Sequence, residues 1–89
     1  MIERRVEVIN RLGLHARAAA KFVQTANRYS CEIKVSKDGQ KVDGKSILGV
    51  LMLAAGQGSI LRLFCHGSDE SAAADALSGL IAERFGEED

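Results

Sequence analysis

The apolar residues of this chain switch repeatedly between the period of two that is typical of strands and the period of about 3.6 that is typical of helices. Val6 and Val8 flank Glu7 and predict a strand that ends near Asn10. From Ala16 onward the spacing is that of a helix. The predicted buried face of this helix consists of Ala19, Phe22, Val23, Ala26 and Tyr29.

A hairpin is predicted to follow this first helix. Residues 31–35 alternate in polarity and have the period of a strand. Asp38-Gly39 is a strong signal for a type I′ turn, because both central residues of that turn have positive φ. A short strand through Val42 should complete the hairpin.

Two helices and one strand are predicted for the rest of the chain. Ser46 is a favourable N-cap for a short helix from Ile47 to about Leu53. Residues 60–65 alternate in polarity and predict a strand, after which Ser68 or Asp69 should cap a last helix. The apolar stripe of that helix is predicted to be Ala73, Ala76, Leu77, Leu80, Ile81 and Phe85.

The predicted order is therefore β-α-β-β-α-β-α, which indicates an α+β fold with a mostly antiparallel sheet and helices on one face. The 89 residues are enough for one domain spanning residues 1–89, since the smallest typical domains have about 50 residues. A hydrophobic content of 46% and a charged content of 27% are those of an ordinary folded chain and exclude a disordered one.

Charge and composition argue against several functional classes. Twelve Lys and Arg balance twelve Asp and Glu, so the chain lacks the basic field on which non-specific nucleic-acid binding depends. Phe64 is the one aromatic residue on a predicted strand, which disfavours an RNA-binding sheet. No secretory leader is visible, and the longest apolar run, residues 47–56, is half of the ~20 residues that a spanning helix needs.

The cysteines and histidines predict neither a disulfide framework nor a metal site. Cys31 and Cys65 are too few for the framework of a small secreted domain and are expected to be reduced core residues. Together with His15 and His66 they lack the spacing of zinc ligands. We therefore expect a cytoplasmic protein with no metal, no cofactor and no membrane insertion.

The first candidate site lies where the first strand leads into the first helix. His15 is predicted near the helix N-cap and Arg17 in the first turn. Free backbone N–H groups and the guanidinium would favour an anion there, and the positive helix end would keep the imidazole neutral and nucleophilic. The pattern suits a histidine that takes up a phosphoryl group. The local pattern also fits a surface histidine that only caps the helix.

The second candidate site is the short helix after Ser46. A helix of two turns can bury only one side, and six of the seven residues from Ile47 to Leu53 are large and apolar. If Val50 and Leu53 face the sheet, an apolar partner surface remains outside. That surface would consist of Ile47, Leu48, Leu51 and Met52. The alternative is a helix that lies deeper and is covered by its neighbours.

Two motifs together resemble the HPr family of histidine-containing phosphocarriers of the bacterial phosphoenolpyruvate-dependent phosphotransferase system. The first is Gly13-Leu14-His15-Ala16-Arg17, and the second is Gly44-Lys45-Ser46-Ile47-Leu48-Gly49-Val50 some thirty residues later. The resemblance covers essentially all 89 residues. It implies an open-faced β-sandwich with strand order 1-4-2-3 and three helices on one side.

The same resemblance implies a role for each candidate residue. His15 would accept phosphate on Nδ1 from phosphorylated enzyme I and pass it to an enzyme IIA, while Arg17 neutralises the phosphate. Ser46 would be the target of an ATP-dependent HPr kinase/phosphorylase. Ile47, Leu48 and Leu51 would form the docking surface, and the carrier would act as a monomer and as a substrate in phosphotransfer.

Two positions depart from the family pattern. Ala18 stands where proline is common and should keep the helix but loosen its entry, and Leu12 stands where a small polar residue often helps to cap it. A regulatory paralogue in the nitrogen-related branch of the system is the alternative that the sequence leaves open. An adaptor that never carries phosphate is another.

Overall fold

The computed structural model describes residues 1–88 and has the element order predicted from the sequence. The elements are β1 (Ile2–Glu7), α1 (Ala16–Ala26), β2 (Glu32–Lys37), β3 (Gln40–Asp43), α2 (Ile47–Met52), β4 (Ile60–His66) and α3 (Glu70–Ala82), followed by a 3₁₀ turn (Arg84–Gly86). The four strands form one antiparallel sheet in the order β1-β4-β2-β3. The predicted α+β fold, an open-faced sandwich with three helices, is confirmed.

Alternate residues of the central strand β4 are buried on one face of the sheet. Leu61, Leu63 and Cys65 are fully buried, whereas Arg62 and His66 are exposed on the opposite face. The helices cover the apolar face, and their buried residues form one core with the inward-facing residues of the strands. No helix among residues 1–88 is long and apolar enough to cross a membrane.

The first strand begins earlier than the alternation predicts. It spans Ile2–Glu7 rather than starting at Val6, because Arg4 occupies an inward-facing position and so hides the period of two. The charge of Arg4 is accommodated by an ion pair of 2.8 Å between Nη2 and Oδ1 of Asp75 in α3.

Two helices end earlier than predicted. α1 ends at Ala26. Asn27 closes the helix by donating hydrogen bonds from its backbone N–H and its side-chain Nδ2 to the carbonyl of Val23. Tyr29 therefore packs against the core from the following turn and not from the helix. α3 ends at Ala82. Phe85 is therefore not on its stripe, although it is fully buried.

The hairpin turn has the conformation predicted from the sequence, but the side-chain cap predicted for α3 does not form. Asp38 and Gly39 both have positive φ (51° and 86°), as a type I′ turn requires. Asp69 stands at the N-cap position of α3, but its carboxylate makes no cap bond. It accepts instead from the backbone N–H groups of Ser30 and Cys31, at 2.8 and 2.9 Å, and so joins α3 to the start of β2.

These hydrogen bonds shift the pKa of Asp69, and burial shifts the pKa values of the two cysteines. The N–H of Ser30 is the main cause of a lowered pKa for the Asp69 carboxyl. Both cysteines are buried and unpaired, as predicted. Burial is the main cause that raises the pKa of Cys31 to about 11, and it also raises that of Cys65.

Candidate functional site

The approach to α1 is fixed by a tight contact between two loops. Gly13 has φ +65°, and a Cβ at this position would lie 2.5 Å from the carbonyl oxygen of Ala55. The next residue, Leu14, is buried and donates its backbone N–H to that same oxygen at 2.8 Å. The loop after α2 thus positions the residue that immediately precedes His15.

His15 is the N-cap residue of α1, as the sequence predicts. Its backbone is extended (φ −71°, ψ 176°), and its Nδ1 accepts the backbone N–H of Arg17 at 3.3 Å. Its Nε2 is hydrogen-bonded to Oε2 of Glu87. Because a carboxylate only accepts and Nδ1 is already an acceptor, the proton of the neutral ring belongs on Nε2. Nδ1 therefore keeps its lone pair at the helix N-terminus.

Glu87 reaches His15 from the C-terminal tail and is held there by a second bond. Its Oε1 accepts from Nδ2 of Asn10 at 2.9 Å, and the same Nδ2 donates to the carbonyl of Gly13 at 2.8 Å. The hydrogen bond from His15, followed by that from Asn10, holds the pKa of the Glu87 carboxyl below its ordinary value. Asn10 is fully buried, so its hydrogen bond anchors the partly exposed Glu87 carboxylate to the interior of the fold.

Glu87 and Asn10 are site residues that the sequence did not reveal. Glu87 is 72 positions from His15 and lies beyond the last helical pattern. Asn10 follows a strand, where an isolated polar residue is unremarkable in sequence. Only the acidic end of the chain gives a weak signal, since a carboxylate is a common partner of a functional histidine.

Arg17 and His15 open onto the same surface cavity of about 450 Å³. Its lining consists of Arg11, Leu12, His15, Ala16, Arg17, Glu87 and Glu88. Two guanidinium groups and the first N–H groups of α1 therefore border a space next to the imidazole, which suits an oxyanion. The two predicted residues His15 and Arg17 are brought together.

α2 presents part of the apolar surface that the sequence predicts. Ser46 is its N-cap, with Oγ accepting the N–H of Gly49 at 3.1 Å. Ile47 is 45% exposed and Leu48 is 74% exposed. Val50 and Leu53 are buried, and Leu51 is half-buried and packs partly against the core, as predicted.

The apolar surface extends beyond the docking residues implied by the family. Met52, at the end of α2, is 65% exposed, and Leu12 is exposed at the rim of the His15 cavity. α1 and α2 pack against each other, and the loop after α2 contacts Gly13 and Leu14, so the end of α2 lies beside the His15 loop. Among residues 1–88, no three His, Cys, Asp or Glu side chains converge as metal ligands would.

Comparison with known proteins shows the family of the chain. Residues 2–83 match the family described as PTS HPr component phosphorylation site. The phosphocarrier protein HPr of Cupriavidus necator is 54% identical over 87 residues, which are 98% of each chain. The crystal structure of HPr-C-His from Thermoanaerobacter tengcongensis has 49% identity and a TM-score of 0.96 over 99% of each chain. A crystal structure of an HPr dimer from the same organism has 48% identity and a TM-score of 0.79, covering 98% of this chain and all of that one.

Proposed function

The chain belongs to the HPr family of phosphotransferase-system phosphocarriers, and on that premise we propose that His15 is its phosphoryl acceptor. In this proposal Nδ1 attacks the phosphorus of a phosphohistidine on enzyme I. The N–P bond of the donor breaks as the new N–P bond forms. In a second transfer, a histidine of an enzyme IIA attacks the same phosphorus, and the N–P bond of His15 breaks. Such a transfer needs in-line positioning and charge stabilisation rather than covalent machinery.

The single observation that carries this proposal is the placement of Nδ1. It points at the N–H of Arg17 in the first turn of α1, while the other ring nitrogen is occupied by Glu87. A phosphoryl group on Nδ1 would meet helix N–H groups and the Arg17 guanidinium, all of which stabilise its negative charge. Arg17 accordingly acts as the neutralising residue.

The apolar surface of α2 supports a docking role. Enzyme I and enzyme IIA must approach the same imidazole in turn, and contacts that are small and short-lived allow such an exchange. Ile47 and Leu48 offer exposed apolar area on α2, which packs against α1, and Leu51 adds its partly buried edge. We assign partner docking to these three residues.

Ser46 is the proposed regulatory site. A phosphate on its hydroxyl would add a charge of about −2 immediately before Ile47 and Leu48. That charge would oppose burial of the apolar surface by a partner, so phosphorylation of Ser46 by an HPr kinase/phosphorylase would slow transfer at His15.

A labelling experiment tests the acceptor. The protein incubated with enzyme I and phosphoenolpyruvate should gain one acid-labile phosphoryl group, measured by mass spectrometry under neutral conditions. His15→Ala should gain none. His66→Ala is the matched control, because His66 is the second of the two histidines and is exposed at the far end of β4. Uptake by His15→Ala, or loss of uptake by His66→Ala, would refute the assignment.

A second labelling experiment tests Ser46. With ATP and an HPr kinase/phosphorylase the protein should gain an acid-stable phosphate that is absent from Ser46→Ala. Ser68→Ala, a change at an exposed serine in another loop, should keep the label. A label that persists in Ser46→Ala would remove the regulatory role. The enzyme IIA that accepts phosphate fastest then distinguishes sugar uptake from the nitrogen-related branch.

A further inference from the structure

The C-terminal tail is locked onto the fold immediately before it reaches His15. Arg84, Phe85 and Gly86 have φ values of 59°, 56° and 78°, so three successive left-handed residues turn the chain back after α3. Phe85 is fully buried, and its carbonyl accepts from Nζ of Lys21 in α1 at 2.6 Å. An unfavourable backbone of this kind persists only where the surroundings hold it.

The locked tail places one carboxylate between two partners. Oε2 of Glu87 meets Nε2 of His15, and Oε1 meets Nδ2 of Asn10. Asn10 is itself fixed, since it is buried and also donates to the carbonyl of Gly13. Both carboxylate oxygens are therefore engaged, and the carboxylate cannot turn away from the imidazole without losing the Asn10 bond.

The orientation of the ring follows from this contact. The backbone N–H of Arg17 requires an acceptor at Nδ1, and the Glu87 carboxylate requires a donor at Nε2. Only the ring with its proton on Nε2 satisfies both. Without the carboxylate, the 3.3 Å contact from the N–H of Arg17 would be left to oppose a proton on Nδ1, and such a proton would block attack from that atom.

We propose that Glu87 is a positioning residue for phosphoryl transfer: it holds the proton of His15 on Nε2 and so presents Nδ1 as the nucleophile. The inference rests on His15 being the phosphoryl acceptor. When Nδ1 forms its bond to phosphorus, the ring gains positive charge, and the Nε2 proton stays on the ring in its bond to Glu87. The carboxylate offsets that charge much as the buried Asp of a catalytic triad does for its imidazolium.

Two substitutions separate the parts of this role. Glu87→Ala removes the acceptor altogether. Glu87→Gln removes the negative charge and keeps one oxygen, which can accept from Nε2 of His15 or from Nδ2 of Asn10 but not from both. Glu83→Ala is the matched control, because Glu83 is an exposed carboxylate just beyond α3 and before the locked turn. Circular dichroism and the melting temperature verify that each variant is folded.

The first readout is the tautomer of the unphosphorylated protein. Imidazole ¹H–¹⁵N correlation spectra at about pH 8.5, where an ordinary imidazole is neutral, report which nitrogen carries the proton. The wild-type protein and Glu83→Ala should show His15 protonated on Nε2. Glu87→Ala should gain a measurable fraction of the Nδ1–H tautomer, because the 3.3 Å contact from the N–H of Arg17 is long and is then left without the carboxylate on the other nitrogen. An unchanged Nε2–H tautomer in Glu87→Ala would overturn the inference.

The second readout is phosphoryl uptake from enzyme I. Glu87→Ala should lower kcat by roughly 10- to 100-fold with KM unchanged, by analogy with the cost of removing a carboxylate that orients a metal-binding histidine. Glu87→Gln should fall between Glu87→Ala and the wild type. A Glu87→Ala protein as fast as Glu83→Ala would overturn the inference. Absence of uptake by the wild type would instead refute the proposed function, because the tautomer is measured without phosphate.

Discussion

Replacing Gly13 with alanine should weaken both the fold and phosphoryl transfer. The backbone of Gly13 is left-handed, and an added Cβ would lie 2.5 Å from the carbonyl oxygen of Ala55 and 2.8 Å from Cα of Gly56. These are backbone atoms, so no flexible side chain can move aside. The carbonyl of Ala55 also accepts the N–H of Leu14, and any shift of it disturbs the residue that precedes His15.

The expected loss of stability has two parts. A side chain in the left-handed region costs about 1–2 kcal/mol. Forcing an extra methyl group into a packed site costs about 1–3 kcal/mol more. A total of about 2–5 kcal/mol would lower the melting temperature of a domain of this size by roughly 8–40 °C.

Two other glycines supply controls that isolate the clash. Gly39 also has positive φ, but nothing lies within 4 Å of its Cβ position, so Gly39→Ala should show only the backbone cost of about 1–2 kcal/mol. Gly79 lies within α3 and is equally open, so Gly79→Ala should stabilise the protein by about 0.5–1 kcal/mol.

Urea denaturation at pH 7, analysed by linear extrapolation, measures all three changes. The rate of phosphoryl uptake should fall for Gly13→Ala and stay unchanged for Gly39→Ala and Gly79→Ala. Equal free-energy losses for Gly13→Ala and Gly39→Ala would show that the contact with Ala55 is not tight. That result would refute the steric reasoning.

Three further predictions concern docking, acid stability and thiol reactivity. Leu48→Asp should raise KM for transfer from enzyme I. The melting temperature should stay nearly unchanged, because this side chain is 74% exposed. An unchanged KM in the folded variant would count against the docking surface. The pKa of Asp69 is lowered by folding, so its stabilising effect is present above the ordinary carboxyl pKa and is lost as pH falls through the folded value. Asp69→Asn should therefore be less stable than the wild type in urea at pH 7, with a gap that narrows at about pH 3; a constant gap would contradict this origin. Burial raises the pKa of Cys31 to about 11. This thiol should therefore react slowly with Ellman's reagent in the native protein at about pH 8 and rapidly in urea. Rapid labelling of the native protein would show that the core around Cys31 opens.

Local signals in the sequence were sufficient for the element order and for the two motifs. The caps at His15 and Ser46 and the turn at Asp38-Gly39 depend on backbone groups within a few residues, and these chemical preferences can be recognised without knowing the rest of the fold. The apolar periods similarly identified most of the core.

Features that depend on distant partners were not predictable in the same way. The inward position of Arg4 depends on its ion pair with Asp75, which is 71 positions later in the chain. Phe85 continues the apolar stripe of α3 in sequence, but it lies in a left-handed turn and is buried from there. Helical spacing of an apolar residue indicates burial but does not by itself show that the residue is helical. The contact between Glu87 and His15 likewise exists only once the tail has folded back.

The return of the tail to His15 has a practical consequence for labelling and tethering. Any polypeptide or dye attached beyond Glu88 begins at the rim of the cavity that contains the imidazole. The amino group of Met1, by contrast, is paired with Glu70 at the start of α3, separated from the His15 loop by the roughly 20 Å length of β1. Surface immobilisation through the amino end should therefore preserve partner exchange, whereas immobilisation through the carboxyl end should obstruct it.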